Sequence, residues 1–375
     1  MKKVYLDNAS TTAIHPDVVS EMTRVLTEEY GNPSSTHYLG RSSRNLIELS
    51  RKSIAKNLHC AAQEIIFTSC GTEANNFIIQ SSIKDLGVER IITSKIEHHA
   101  VLHTIEILKK QYSIEVDYVT ILPSGEIDVV HLTDLLSTKA KTLVSLMHVN
   151  NEIGTILNLE RVSKICKQHQ AYFHTDTVQS IGKTSVNLEQ IPIDFLVASA
   201  HKFHGPKGIG FAFIRKGIVL NPILLGGEQE KGLRAGTECV HNIVGMAKAL
   251  ELAYESLIEE QKQITFLKEY AISQLEQHIP GIKFNGNPNQ TFYNLLNFIL
   301  PFSDDKTAMI LFNLDMKGIA VSRGSACQSG STKPSHVLAE ILSEEDLRKP
   351  SLRISFSHYN TTDDIDYFIE NLKLV

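Results

Sequence analysis

Short apolar runs that stop abruptly in polar residues recur along this chain of 375 residues. The clearest is Phe195-Leu196-Val197-Ala198, which gives way to Ser199, His201 and Lys202 and then to Gly205 and Gly208. A run this short, closed by glycines, reads as a buried strand rather than a helix. The same shape recurs at 64–68 before Ser69-Cys70-Gly71-Thr72, at 90–94 before Glu97-His98-His99, at 142–147 before His148-Val149-Asn150-Asn151-Glu152, and at 171–173 before His174-Thr175-Asp176. Helical periodicity fills the gaps at 41–58, 74–83, 100–111, 128–136 and 160–169, and Pro16 opens an earlier helix with Val18, Met22 and Val25 on one face. Strands alternating with helices predict an α/β fold, with a mostly parallel sheet covered on both faces.

Beyond a further strand at 208–214, the pattern changes. A glycine-rich stretch, 226–237, is long for a loop inside a compact domain, and such loops are usually functional. From 240 to 278 the periodicity is helical without a proline, which predicts a long helix bridging two domains. The remainder reads as a smaller α/β unit, with strands at 294–299, 319–322 and 352–355, helices at 306–317, 335–342 and 363–372, and a loop at 324–333. The expected division is a large domain over 14–256 and a small one made of 1–13 and 257–375.

Composition narrows the function. With 42% hydrophobic residues the chain can bury a large core, and it has no apolar run of the roughly 18 residues that would span a membrane. A net charge of −5 without charged blocks argues against direct nucleic-acid binding. The five cysteines, Cys60, Cys70, Cys166, Cys239 and Cys327, are scattered, so neither a disulfide framework nor a zinc site is expected. The sixteen histidines lack metal-ligand spacing, so no metal site is expected either. No signal-peptide pattern precedes the first strand, and a cytoplasmic protein is expected.

In open α/β sheets ligands sit beyond the carboxyl ends of the strands. A lysine partly desolvated there can act as nucleophile or base. Asp176 and Lys202, 26 residues apart, stand at the ends of successive strands. The small-residue turn at 69–72 aims backbone N–H groups at an anion. A carboxylate, an amine and a phosphate turn together are what pyridoxal phosphate requires. Lys202 forms the Schiff base and Asp176 keeps the pyridine nitrogen protonated. Thr72, Ser199 and His201 suit the phosphate, Asn151 or Gln179 the ring oxygen, and His98 the ring face.

Several longer motifs resemble the cysteine desulfurases, fold-type I pyridoxal-phosphate enzymes of the class V aminotransferase group. They are Tyr5-Leu6-Asp7-Asn8-Ala9-Ser10-Thr11-Thr12, Gly31-Asn32-Pro33-Ser34-Ser35, Glu97-His98-His99-Ala100-Val101-Leu102, His148-Val149-Asn150-Asn151-Glu152-Ile153-Gly154, the stretches 176–179 and 234–237, His201-Lys202 with Gly205-Pro206-Lys207-Gly208, and Gly324-Ser325-Ala326-Cys327. The resemblance implies that L-cysteine is converted to L-alanine and that its sulfur passes to Cys327 as a persulfide. It further implies a phosphate site of Gly71, Thr72, Ser199 and His201, completed by Thr237 from the second subunit of a homodimer. Gln179 and Asn151 would contact the ring oxygen, His98 would stack on the ring and move protons, and Arg353, with Asn151, would bind the substrate. The Gly-Ser-Ala-Cys loop resembles the group that feeds iron–sulfur scaffold proteins; the persulfide sulfur would serve iron–sulfur clusters and thio-modified tRNA, and Cys327 would transiently ligate a cluster. Two departures stand out: Cys70 replaces a usual glycine in the phosphate turn, and Ser357-His358-Tyr359-Asn360 replaces a usual Gly-Arg pattern. Rival readings are a selenocysteine lyase, a class V aminotransferase, and a non-catalytic sulfur-transfer scaffold.

Overall fold

The computed structural model describes residues 2–303, 309–324 and 335–374. The chain opens with β1 (Val4–Tyr5), α1 (Pro16–Glu28) and α2 (Tyr38–Asn57). It then alternates: β2 (Ile65–Thr68), α3 (Gly71–Leu86), β3 (Arg90–Thr93), α4 (His99–Tyr112), β4 (Glu115–Tyr118), α5 (Val129–Leu135), β5 (Thr142–Ser145), α6 (Leu159–Gln168), β6 (Tyr172–Asp176), β7 (Phe195–Ser199) and β8 (Gly210–Ile214). The seven strands from β2 onward form one sheet in the order β2-β8-β7-β6-β5-β3-β4. All neighbouring pairs are parallel except those of β8, which runs against both β7 and β2. The reversal has a simple cause. Only 200–209 separate β7 from β8, too few for the crossover that a parallel neighbour requires.

Packing follows the predicted two-faced burial. Phe67, Phe173, Phe203 and Phe213 pack with Ile243, Met246 and Leu250 in one core, and Phe77, Ile91, Phe195 and Val197 lie in another. Truncating one such fully buried phenylalanine to alanine costs about 3–5 kcal/mol. β4 was not legible in the sequence. It is an edge strand whose residues are all exposed or half-buried, and it pairs Glu115 to Arg90 and Asp117 to Ile92. An edge of this kind carries charge rather than an apolar run.

The expected single helix over 240–278 is two, α7 (Val240–Glu255) and α8 (Leu257–His278). The break is at Ser256, whose hydroxyl bonds the Leu252 carbonyl at 2.9 Å and the Glu260 carboxylate at 2.7 Å. A serine hydroxyl that competes for helix groups favours such an interruption. The chain continues through β9 (Lys283–Phe284), β10 (Leu295–Ile299), α9 (Ile310–Asp315), β11 (Ile319–Ala320), α10 (His336–Ala339), α11 (Glu344–Arg348), β12 (Ser351–Ser355) and α12 (Thr362–Leu372). β12, β10 and β9 form an antiparallel sheet, and β1 pairs in parallel with β11. Val4, Leu6, Leu267, Phe298, Leu352 and Phe368 form a core of their own. The departing segment at 357–360 is packed in place. Asn360 accepts from the Ser357 N–H at 2.9 Å and donates to the Tyr5 carbonyl at 2.9 Å, and His358 Nδ1 lies 3.1 Å from Glu260 Oε1.

Candidate active site

The polar segments that follow β2, β3, β5, β6 and β7 converge on one cavity of about 210 Å³. Gly71, Thr72, His98, Asn151, Asp176, Gln179, Ser199, His201, Lys202 and Arg353 all line it. Of the other sequence-predicted residues, Thr237 is exposed and does not line this cavity, and Cys327 lies outside the described residues.

Asp176 ends β6 and is buried. Its Oδ1 accepts the Val178 N–H at 3.0 Å and its Oδ2 accepts from the Asn75 side chain at 2.8 Å. Each oxygen keeps a lone pair for a further donor. Asn75 was missed in the sequence. Its signal is an amide at a buried position of α3, beside Ala74, Phe77 and Ile78. Across the cavity, Lys202 follows β7 in a short 3₁₀ turn, and its Nζ donates to the carbonyls of Ala9 at 2.7 Å and Ser10 at 2.8 Å. Gln179 also donates to Ala9 O, at 2.9 Å. The polar turn after β1 therefore forms a wall of the site.

Arg353 enters from the middle of β12 and is only 1% exposed. Its Nη2 donates to Asp7 Oδ1 at 2.7 Å and to Ser10 Oγ at 2.8 Å, and its Nη1 donates to the Asn151 carbonyl at 2.7 Å. Its Nε–H has no partner among the described residues.

His98 caps α4, with Nδ1 accepting the Ala100 N–H at 3.1 Å. Burial holds its pKa below the ordinary imidazole value, Asp176 opposes that shift and Lys202 adds to it. The ring is therefore neutral, and since Nδ1 accepts, its proton sits on Nε2. His201 is pushed down to about 3, by burial first and then by Lys202, Lys207 and Lys183. Two further buried groups were missed. Glu97 is pushed up to about 8, mainly by burial. Lys183 is pulled down to about 7 by burial, with Lys202 adding to the shift, and its amine has no partner among the described residues.

The residues fit pyridoxal phosphate. α3 starts at Gly71 without a side-chain cap, so its first N–H groups are open to an anion. The Ser199 hydroxyl, at the end of β7, is buried without a partner among the described residues. A Cβ at Gly71 would meet Val178 Cγ2 at 2.5 Å, so only glycine fits there. Cys70 is accommodated because its backbone is extended, φ −174° and ψ 174°, which any residue adopts. Among the described residues no group of three or more His, Cys, Asp or Glu side chains is placed to hold a metal ion.

The sequence pattern of the family described as Aminotransferase class-V matches residues 4–368. The cysteine desulfurase IscS of Dictyoglomus turgidum is 42% identical over 376 residues, spanning 100% of this chain and 94% of that protein. Among solved structures, a NifS-like protein superposes with a TM-score of 0.91 at 35% identity, covering 100% of this chain and 99% of its own. The protein SspA, solved in complex with cysteine, superposes with a TM-score of 0.82 at 32% identity over 96% of this chain and 100% of its own. With its mostly parallel sheet and an amine, a carboxylate and a small-residue turn in one cavity, the chain belongs to the class-V aminotransferase family and, within it, to the pyridoxal-phosphate-dependent cysteine desulfurases.

Proposed function

We propose that Lys202 carries the cofactor, that Arg353 orients L-cysteine, and that Cys327 takes the sulfur. Family membership makes the chain a cysteine desulfurase. The observation that carries these roles is the meeting of a buried carboxylate, an amine and a buried guanidinium in one cavity. When bound, pyridoxal phosphate supplies an electron sink for the carbanion at the substrate Cα.

The chain's own groups do the rest. The turn at 69–72, Ser199 and His201 hold the phosphate, and Thr237 of the partner subunit completes that site in a homodimer. Asp176 offers its remaining lone pairs to the pyridine N–H, and Asn151 and Gln179 face the ring oxygen. Arg353 turns its Nε–H toward the substrate carboxylate, while Asp7 and Ser10 fix the plane of the guanidinium. Lys202 Nζ collects the Cα proton, and His98 holds a proton on Nε2 near the ring. The Cys327 thiolate forms an S–S bond to the substrate sulfur as the substrate's C–S bond breaks. The bonding pair stays on Cβ and takes up a proton in place of the one the substrate thiol gives up, and the proton collected by Lys202 returns to Cα, leaving alanine and a persulfide on Cys327.

The resemblance of the Gly-Ser-Ala-Cys loop supports an iron–sulfur scaffold protein as the sulfur acceptor. The four described cysteines are free, which supports a reducing cytoplasm. The separate core of β1, β10, β12 and α12 supports a small domain of 1–13 and 257–375 beside a large one of 14–256.

The test is direct. Purified protein given L-cysteine releases alanine and forms a persulfide. Cys327→Ser keeps the visible cofactor band but forms no persulfide, and full desulfurase turnover by that variant removes the role given to Cys327. Alanine formation that depends on a keto acid instead supports an aminotransferase.

A further inference from the structure

β2 lies at an edge of the large sheet, and its outward backbone groups are taken by side chains rather than by another strand. Arg51 Nη1 donates to the Ile65 carbonyl, the Phe67 N–H donates to Glu230, and the Ser69 N–H donates to Glu73, each at 2.8 Å. Both carboxylates are in turn forked by an arginine. Arg51 grips Glu230 at 2.7 and 2.8 Å, and Arg234 grips Glu73 at 2.9 and 3.3 Å. The 226–237 loop supplies the acid of the first pair and the base of the second, so it zips along the strand edge that open N–H groups would otherwise expose.

The second pair spans two functional segments. Glu73 follows Thr72 directly, and its carboxylate fixes the N–H of Ser69 at the start of the phosphate turn. Arg234 stands three residues before Thr237 on the loop. Burial alone would raise the Glu73 carboxyl, but the bonds from Arg234 and Ser69 outweigh it and hold the group below the ordinary value. A bidentate fork fixes orientation as well as distance.

We propose that the Glu73–Arg234 fork couples the two phosphate sites of the homodimer, by joining the turn that holds one protomer's phosphate to the loop that lends Thr237 to its partner. The proposal rests on the reading that Thr237 serves the partner subunit. Neither Glu73 nor Arg234 lines the cavity, so both are positioning residues. Loss of the phosphate from one site loosens the turn, the fork and the loop, and so weakens the other site.

The test is cofactor release from the holoenzyme dimer, followed by loss of the visible band while a phosphatase consumes the freed cofactor. Glu73→Gln keeps an acceptor for the Ser69 N–H but loses the charge that Arg234 grips. Glu73→Gln and Thr237→Ala each speed release about tenfold, the size of one lost charge-assisted bond. The double variant releases scarcely faster than Thr237→Ala alone, because both cuts fall on one link. Arg234→Lys, which keeps the charge without the fork, falls between Glu73→Gln and the parent and serves if Glu73→Gln does not fold. Thr237→Ala releasing at the parent rate overturns the reading of Thr237 itself. Fast release from Thr237→Ala with an additive effect of Glu73→Gln leaves that reading standing and overturns the coupling, as does parent-like release from Glu73→Gln or, in its place, from Arg234→Lys.

Discussion

The seven-stranded and the three-stranded sheet contribute to the cavity in different ways. The seven-stranded sheet offers groups from its tips. Asp176 is the last residue of β6, Ser199 the last of β7, and Lys202 lies in the turn just beyond. The three-stranded sheet offers Arg353 from the middle of β12, in register with Asn297 of β10. A tip residue is the last rung of its ladder, as Asp176 opposite Val197 and Ser199 opposite Gly210 are, or lies just past it, as Lys202 does, so changing it disturbs little of its strand. A mid-strand residue is held on both sides, and Arg353 is a fully buried charge whose carboxylate partner is Asp7. In the proposed roles the tips therefore carry chemistry at small structural cost, whereas the guanidinium serves fold and site at once.

The sharpest way to break this contrast is to remove a tip. Lys202→Ala should lower turnover about a thousandfold, the span of a lost general base. Its melting should change little, since Lys202 is half-buried and donates to carbonyls near the cavity. Alanine release and a thermal melt of the same sample decide it. A melt lowered as far as that of Asp7→Asn would erase the distinction between tip and mid-strand.

Asp7→Asn is the second test, on the other sheet. It leaves the Arg353 charge buried against a neutral amide, and breaking a buried pair of this kind costs about 3 kcal/mol. Asp7 is itself 15% exposed on its side chain, which places the loss at the low end of the usual span. A urea titration should show the loss. In kinetics, KM for L-cysteine should rise more than kcat falls, because the guanidinium plane is loosened rather than removed.

The same contrast explains what the sequence made legible. Tip residues announce themselves, because an apolar run that ends in a hydroxyl, an imidazole or an acid is visible in one dimension. That was enough to bring Asp176, Ser199, His201, Lys202 and the turn at 70–72 together, and they do line one cavity. Arg353 has no such signature, since an arginine in a short strand looks like any edge charge, and it entered only through the family resemblance. Asn75 was hidden because its polarity is spent on Asp176, far off in sequence, and Glu97, though part of a quoted motif, was given no role because its burial and its bonds to Ser94 and Met147 appear only in the fold. β4 was lost because an edge strand lacks an apolar run. The break at Ser256 was lost because one hydroxyl, unlike a proline, does not interrupt the periodicity.

A third test uses two buried histidines, His174 within β6 and His148 in the segment after β5. His174 is fully buried, lies 2.8 Å from Ser145 Oγ, and is pushed down to about 3 by burial. His148 is pushed down to about 4 by the same cause. Below pH 6.5 the unfolded chain binds protons that the folded chain refuses. Stability therefore falls as pH falls through that window, by about 1.4 kcal/mol per unit for each such group. His174→Gln should recover about 2 kcal/mol of that acid loss between pH 6.5 and 5, judged from the pH slope rather than from the absolute stability. An unchanged slope would place the acid sensitivity elsewhere in the molecule.

The smallest effect is expected at Glu97, behind the cavity, and it runs with the opposite sign. Glu97 Oε1 accepts from Ser94 Oγ at 2.8 Å and from the Met147 N–H at 3.0 Å, while Oε2 has no partner among the described residues. Burial raises its pKa to about 8, the two hydrogen bonds pull it down, and Asp176 pushes it up further. The folded chain thus keeps a proton that the unfolded chain sheds above the ordinary carboxylate value. The resulting stability is complete below that value and is lost as pH rises through about 8. Glu97→Gln keeps the acceptor for Ser94 and Met147 and cannot ionise. Between pH 7 and 8 the parent should lose about 1 kcal/mol that the variant keeps, as read from urea midpoints at the two pH values. An identical pH slope in parent and variant would mean that Glu97 does not give up a proton across this window, and that its burial behind the cavity is not what sets its charge.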